Sequence, residues 1–84
     1  MSRLLGRKEN CEVGDVVGLP NSDYVAILVD RDAGFTWVAQ PYRRSTGWTA
    51  TETTIAVDTM DMFGAPHDVP DHIYAEAMKL RLLT

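Results

Sequence analysis

The sequence is poor in cysteine and in long apolar runs, and each scarcity excludes a class of protein. Cys11 is the only cysteine, so no internal disulfide and no cysteine-based metal site is expected, which favours a reducing setting. No stretch approaches the roughly 18 apolar residues of a membrane span. Residues 1–6 lack the apolar segment of a signal peptide. We therefore expect a cytoplasmic protein with no membrane partner.

Positive charge is also scarce. Eight Lys and Arg residues stand against twelve Asp and Glu residues, which gives a formal net charge of −4. Residues 45–76 contain six acids and no Lys or Arg, whereas Arg43 and Arg44 form one local basic point. Nonspecific nucleic-acid binding needs many cations that neutralise phosphates. The charge balance therefore argues against nucleic acid as the main partner.

Turn signals recur at regular intervals through the first two thirds of the chain. The segments 20–23, 31–34 and 43–47 are rich in the Pro, Gly, Asn, Asp and Ser residues that favour tight turns. Because the connections are short, strands on either side of them must run antiparallel. The pattern predicts four strands, at 12–19, 24–30, 35–42 and 48–59.

Apolar positions place these strands in the sheet. The segment 24–30 is apolar at nearly every position, which predicts a central strand covered on both faces, with Val25, Ile27 and Val29 in the core.

The two later strands are more polar. Phe35 and Trp37 share one face of the third strand. The long Thr-rich segment 48–59 is expected to be one bent strand that serves two parts of the sheet, with Ile55 and Val57 buried.

A helix is predicted over 69–82. Asp68 has the character of an N-cap, Asp71 follows it as in a capping box, and Pro70 lies in the first turn, where proline is tolerated. The apolar stripe at helical spacing consists of Val69, Ile73, Ala77 and Leu80, widened by Tyr74 and Met78.

Together these elements predict a single small α+β domain spanning 1–84. It has a four-stranded antiparallel meander at 12–59 and one C-terminal helix, with residues 1–10 as a flexible or loosely docked arm. The meander is expected to form a twisted sheet or an SH3-like partial barrel. The resemblance to SH3-like barrels is architectural, since no family motif carries it.

The densest group of ligand-type side chains is His67, Asp68, Asp71 and His72. Imidazole and carboxylate groups can bind zinc, manganese or iron. The two histidines are five residues apart, whereas ligands on one helix face need a spacing of three or four, and capping already accounts for the acids. We therefore predict no metal and no other cofactor.

Catalysis is not expected either. Asp58 and Asp61 are close in sequence, but acid–base work needs a pocket that raises the pKa of one carboxyl group. A chain this small has little volume for such a pocket. The sequence therefore predicts a protein that is not an enzyme.

Aromatic and arginine side chains flank the third turn. Tyr42, Arg43, Arg44 and Trp48 are of the types enriched at interface hot spots. The same residue types stack unpaired bases, so a nucleic-acid contact is the alternative. Given the acidic whole, a larger protein is the favoured partner.

Two further surfaces are candidates for contact. Asp58 and Asp61 begin an acidic segment, 58–72, which is the second predicted partner-binding surface. The Thr-rich segment 49–54 is β-prone and polar, and an open edge there would invite strand addition by a partner or a second copy.

The sequence thus predicts a small non-enzymatic protein-binding module that occludes or bridges a larger partner. The excess of Arg over Lys is typical of a GC-rich genome. Small acidic proteins from such genomes are often accessory factors, including phage- or mobile-element-encoded inhibitors of host proteins. The alternatives are a nucleic-acid-binding module that uses the turn at 42–48, and a self-assembling structural or virion component that forms homo-oligomers.

Overall fold

An antiparallel sheet followed by one helix forms the part of the chain described by this computed structural model, residues 11–83. The α+β prediction is confirmed, but the described residues form six strands, not four. The predicted arm, 1–10, lies outside the described residues. The strands are β1 (Val16–Gly18), β2 (Tyr24–Ala33), β3 (Thr36–Arg43), β4 (Thr49–Ala50), β5 (Ile55–Asp58) and β6 (Phe63–Gly64). The helix is α1 (Asp71–Leu83), and short 3₁₀ turns occupy Arg44–Thr46 and Thr59–Asp61.

The sheet has the order β4-β3-β2-β1-β6, with β5 beside β4 on the same edge of β3. All neighbouring strands are antiparallel. After the second 3₁₀ turn the chain returns to β1, where Phe63 lies opposite Gly18. Strand β6 does not pair with β4 or β5, so the sheet is not closed.

The predicted strand 48–59 is divided into β4 and β5, which pair with opposite ends of β3. Thr51 N donates to Pro41 O at 3.0 Å, but proline has no N–H to donate in return. Residues 52–54 then bulge away from β3 before Ile55 resumes the ladder opposite Ala39. The chain therefore serves two parts of the sheet, as predicted, but as two strands instead of one.

Strand β2 is central and buried on both faces because its apolar run supplies side chains to two cores. Ala26 and Leu28 enter the first core, whereas Val25 and Ile27 face the helix. Val29, predicted in the core, is only half-buried. The first core contains Cys11, Val17, Ala26, Leu28, Trp37, Ala39, Val57 and Met62. The second contains Val25, Ile27, Val69, Ile73 and Ala77.

One side chain predicted to be buried is exposed, and one residue predicted in a strand lies in a turn. Phe35 is predicted to share a strand face with Trp37, but it lies in the two-residue turn that joins β2 to β3, where it is exposed. Gly34, the other turn residue, has a φ of 55°, the left-handed conformation that closes this hairpin. Ile55 is exposed at the end of the 52–54 bulge, whereas Val57 is buried as predicted.

The helix begins at Asp71, two residues later than predicted, directly after Pro70. Asp68 lies outside it and forms an ion pair with Arg44, so the prediction that Asp68 is the N-cap is wrong. Ile73 and Ala77 are buried, as the stripe predicts. Tyr74 and Met78 do not widen the buried stripe, since they are 45% and 52% exposed.

Candidate functional site

The third turn, which carries Arg43 and Arg44, is held by Asp23. The Asp23 carboxylate accepts hydrogen bonds from Arg43 Nε at 3.1 Å, from Ser45 N at 3.1 Å and from Ser45 Oγ at 2.9 Å. The hydrogen bond from Arg43, followed by that from the Ser45 side chain, lowers the pKa of Asp23 below its usual value of 3.8. The same pairing raises the pKa of Arg43.

Arg44 joins this turn to the segment before the helix. Its guanidinium lies over the Trp48 ring at 4.7 Å from the centroid and forms the ion pair with Asp68. Its Nε donates to Ser22 O at 3.2 Å. Arg44 is therefore stacked and paired within the chain instead of projecting freely.

Trp48 has a left-handed backbone conformation, which is unusual for a residue other than glycine. Its φ of 63° is the one positive value at a non-glycine residue among residues 11–83. The side chain packs against the second core, and the carbonyl oxygen lies 3.3 Å from His72 Nε2. Packing, stacking and this contact together hold a conformation that costs about 1–2 kcal/mol for an L-residue.

The four residues predicted to form one contact surface at the turn, Tyr42, Arg43, Arg44 and Trp48, do not all lie together. Tyr42 and Trp48 both pack against the second core. Burial, with a smaller contribution from the Glu76 charge, raises the pKa of Tyr42. Arg43 instead points to Tyr24, 5.9 Å from that ring's centroid. The fold therefore brings together Arg44 and Trp48 and separates Arg43 from them.

Each Lys and Arg side chain between residues 11 and 83 contacts another side chain of the same chain. Four of the five basic side chains there form ion pairs, with Asp15, Asp23, Asp68 and Glu76. The fifth, Arg31, lies over the Trp37 ring at 4.7 Å from its centroid. A nucleic acid would have to displace carboxylates from these cations, which weakens the alternative of a nucleic-acid contact.

Asp58 and Asp61 lie at the opposite end of β3. The Asp58 carboxylate accepts a hydrogen bond from Met60 N at 2.9 Å and so begins the second 3₁₀ turn. Asp58 pairs with Thr36, at one end of β3, whereas Arg43 ends the same strand. Seven residues of strand separate these positions by about 23 Å, so the two predicted contact surfaces are distinct.

Two exposed apolar side chains that the sequence did not single out stand beside these acids. Phe35 is 53% exposed and Met60 is 59% exposed. Thr59 N donates to Phe35 O at 2.9 Å, which places the second 3₁₀ turn against the β2–β3 turn. Asp30 and Asp32, near the end of β2, belong to the same end of the sheet. We call this surface the acidic end; it consists of Asp30, Asp32, Phe35, Asp58, Met60 and Asp61.

The Thr-rich segment offers a poor template for strand addition. Strand β4 has two residues, and the bulge at 52–54 interrupts the edge before β5. Bulges and short edge strands prevent pairing with another chain. The geometry thus disfavours edge-to-edge assembly through 49–54.

An apolar groove of about 500 Å³ lies between the turn after β1 and the 52–54 bulge. Tyr24 is the single ionisable side chain in its lining, so it offers no acid–base pair. Its lining consists of Leu19, Pro20, Asn21, Tyr24, Pro41, Thr51, Thr53 and Ile55.

His67 and His72 are both exposed. Across residues 11–83, no group of three or more His, Cys, Asp or Glu side chains is arranged to hold a metal ion. Within the same residues no helix is long and apolar enough to cross a membrane.

Comparison with known proteins gives no relative for this chain. No family model matches it, and no curated protein or solved structure shows significant similarity to it.

Proposed function

We propose that the protein is a non-enzymatic protein-binding module that occludes a surface of a larger partner and contacts it through the acidic end. The observation that supports this proposal is the juxtaposition of Phe35 and Met60, both more than half exposed, on two turns joined by the Thr59–Phe35 hydrogen bond. Aromatic residues and methionine are enriched where proteins bind one another.

The two side chains have the geometry of an anchor. They lie in turns at the end of a sheet whose strands fix the turn backbones. Little backbone conformational entropy is therefore lost on binding. Removing the exposed half of each side chain from water is worth about 1 kcal/mol per residue. Asp58 and Asp61 then form a polar rim of the kind that surrounds an apolar interface centre.

The turn at 42–48 remains the second predicted contact. Arg43 is half-exposed there, although it is paired with Asp23. The finer forms of the proposal are an SH3-like partial barrel as scaffold, and a phage- or mobile-element-encoded accessory factor or inhibitor as origin. Composition supports the origin, and the return of β6 to β1 after the second 3₁₀ turn supports the scaffold.

The test is affinity capture from lysate of the source cell with matched baits. Phe35→Ser/Met60→Ser removes the proposed anchor. Tyr74→Ser/Met78→Ser removes an equally exposed aromatic and methionine pair from the helix, and serves as the control. We expect one partner to be retained by the wild type and the control and lost by the anchor variant. Retention of the same partner by the anchor variant would contradict the proposal.

A third bait addresses the turn. Arg43→Glu/Arg44→Glu reverses its charge, and circular dichroism must first show that this bait is folded because both arginines form internal contacts. If this bait alone loses the partner, the contact lies at the turn and the assignment to the acidic end is wrong.

A further inference from the structure

We infer that the partner presents a basic surface, with Lys or Arg side chains around an apolar pocket that receives Phe35 and Met60. This inference rests on the proposed function and names the chemistry of the partner at the same acidic end.

Two pairs of acidic residues from distant parts of the sequence, Asp30 with Asp32 and Asp58 with Asp61, lie at this end of the sheet. Thr36 lies opposite Ala33 on one side and opposite Asp58 on the other, so the end of the β2–β3 hairpin adjoins the end of β5. Asp30 and Asp32 arrive on the hairpin, and Asp61 arrives on the 3₁₀ turn that follows Asp58. All four residues are exposed.

Their charge is not compensated within the described chain. None of the four carboxylates forms an ion pair with another residue between 11 and 83, whereas Asp15, Asp23, Asp68 and Glu76 each do. Arg31 is the one basic residue nearby in sequence, and its guanidinium lies over the Trp37 ring. Among residues 11–83, the acidic end therefore carries an excess of negative charge beside the exposed side chains of Phe35 and Met60.

Negative charge beside exposed apolar side chains indicates which kind of partner surface would bind here. An acidic partner surface would be repelled, and a neutral one would leave the carboxylates to lose water without compensation. Across residues 11–83 no group of three or more His, Cys, Asp or Glu side chains is arranged to hold a metal ion, so the proposal does not invoke a metal ion as the counter-charge. A protein surface with cations around an apolar pocket satisfies both the charge and the exposed Phe35 and Met60 side chains.

Charge pairing across a solvated rim acts on association and is screened by salt. We therefore expect capture of the partner to be strong at 50 mM NaCl and to fall about tenfold or more at 300 mM NaCl. The salt dependence distinguishes this mode from a purely apolar contact, which higher salt does not weaken.

The experiment compares two charge variants in the same capture from source-cell lysate. Asp30→Asn/Asp32→Asn/Asp61→Asn removes three of the four negative charges of the acidic end and leaves Asp58, which begins the 3₁₀ turn, intact. Glu12→Gln/Glu52→Gln/Asp71→Asn removes the same charge from acids elsewhere that also form no ion pair with a described residue. We expect the first variant to lose about tenfold in capture at 50 mM NaCl and the second to change less than about twofold.

The possible outcomes separate the two proposals. If both charge variants retain the partner equally at both salt concentrations, while Phe35→Ser/Met60→Ser loses it, the basic partner surface is wrong and the protein-binding function stands. If no captured protein depends on Phe35 and Met60, the proposed function fails and this inference fails with it. Loss with the first charge variant alone, together with loss at 300 mM NaCl, supports the inference.

Discussion

The side-chain amide of Gln40 supplies the hydrogen bond that Pro41 cannot donate. Gln40 Nε2 lies 3.0 Å from Thr51 O, while Thr51 N donates to Pro41 O at 3.0 Å. The pair of bonds between β3 and the edge chain is thus completed by a side chain where the backbone lacks an N–H. This contact lies just before the bulge at 52–54, and it fixes the point where β4 ends.

Replacing Gln40 by Met should therefore lower the free energy of unfolding by about 1–2 kcal/mol, because Thr51 O loses its donor. The cost should shrink when Pro41→Ala is also present, since alanine restores a backbone N–H at that position. Urea unfolding of the wild type, both single variants and the double variant measures the coupling. If the effects of the two substitutions on the free energy of unfolding were strictly additive, the Gln40 side chain would not be replacing the backbone N–H that Pro41 lacks.

Two glycines with positive φ should respond differently to alanine. At Gly14, with φ 92°, a Cβ would lie 2.9 Å from Ala77 O in the helix. At Gly34, with φ 55°, a Cβ would meet nothing within 4 Å. We expect Gly14→Ala to cost about 3 kcal/mol and Gly34→Ala about 1 kcal/mol, because the second pays for backbone strain alone. Thermal unfolding checks the order, and equal costs would refute it.

The two faces of the helix should differ in sensitivity. Ile73 is 0% exposed and packs against β2, whereas Met78 is 52% exposed. We expect Ile73→Ala to cost about 3 kcal/mol and Met78→Ala less than about 1 kcal/mol, because only the first leaves a cavity. Chemical unfolding of both variants measures the difference. A large cost for Met78→Ala would mean that this side chain is covered in solution.

Asp23 should contribute to the stability of the fold in a way that depends on pH and is lost in acid. Its pKa is lower in the folded state than in the unfolded state, mainly through the hydrogen bond from Arg43, so the folded chain binds fewer protons near pH 3.8. The stabilisation is therefore present above the unfolded pKa and is lost as pH falls through the lower folded pKa. Asp23→Asn should flatten the decline of Tm below about pH 5. Asp32→Asn, which removes an acid that forms no ion pair with a described residue, is the matched control, and identical profiles for the two variants would disprove the role of Asp23.

Local chemistry was enough for several elements. The apolar run at 24–30 has no polar face to offer to solvent, so it required a central strand, and Val25 and Leu28 are buried on opposite faces as that implies. Gly34 and Gly47 adopt the left-handed conformation that their turn contexts favour. The spacing of Ile73 and Ala77 likewise predicted the buried face of the helix.

The candidate surfaces could be predicted only in part. Asp58 and Asp61 were identified from their charge, and Arg44 and Trp48 from their residue types. Phe35 was missed as a contact residue because strand alternation placed it on one face with Trp37, whereas it lies in a turn of two residues at the end of the sheet. Its position directly after Gly34 is the signal that could have found it.

The sequence by itself determined an antiparallel sheet built around one apolar strand, turns of known chemistry and an amphipathic C-terminal helix, because these depend on residues close in the chain. The tertiary structure alone decided the split of 48–59, the return of β6 to β1 and the pairing of Arg44 with Asp68. Each of these depends on which backbone groups and charges meet across distant segments, such as the missing N–H of Pro41 opposite Thr51. The same long-range register brings the turn that holds Phe35 next to the turn that holds Met60.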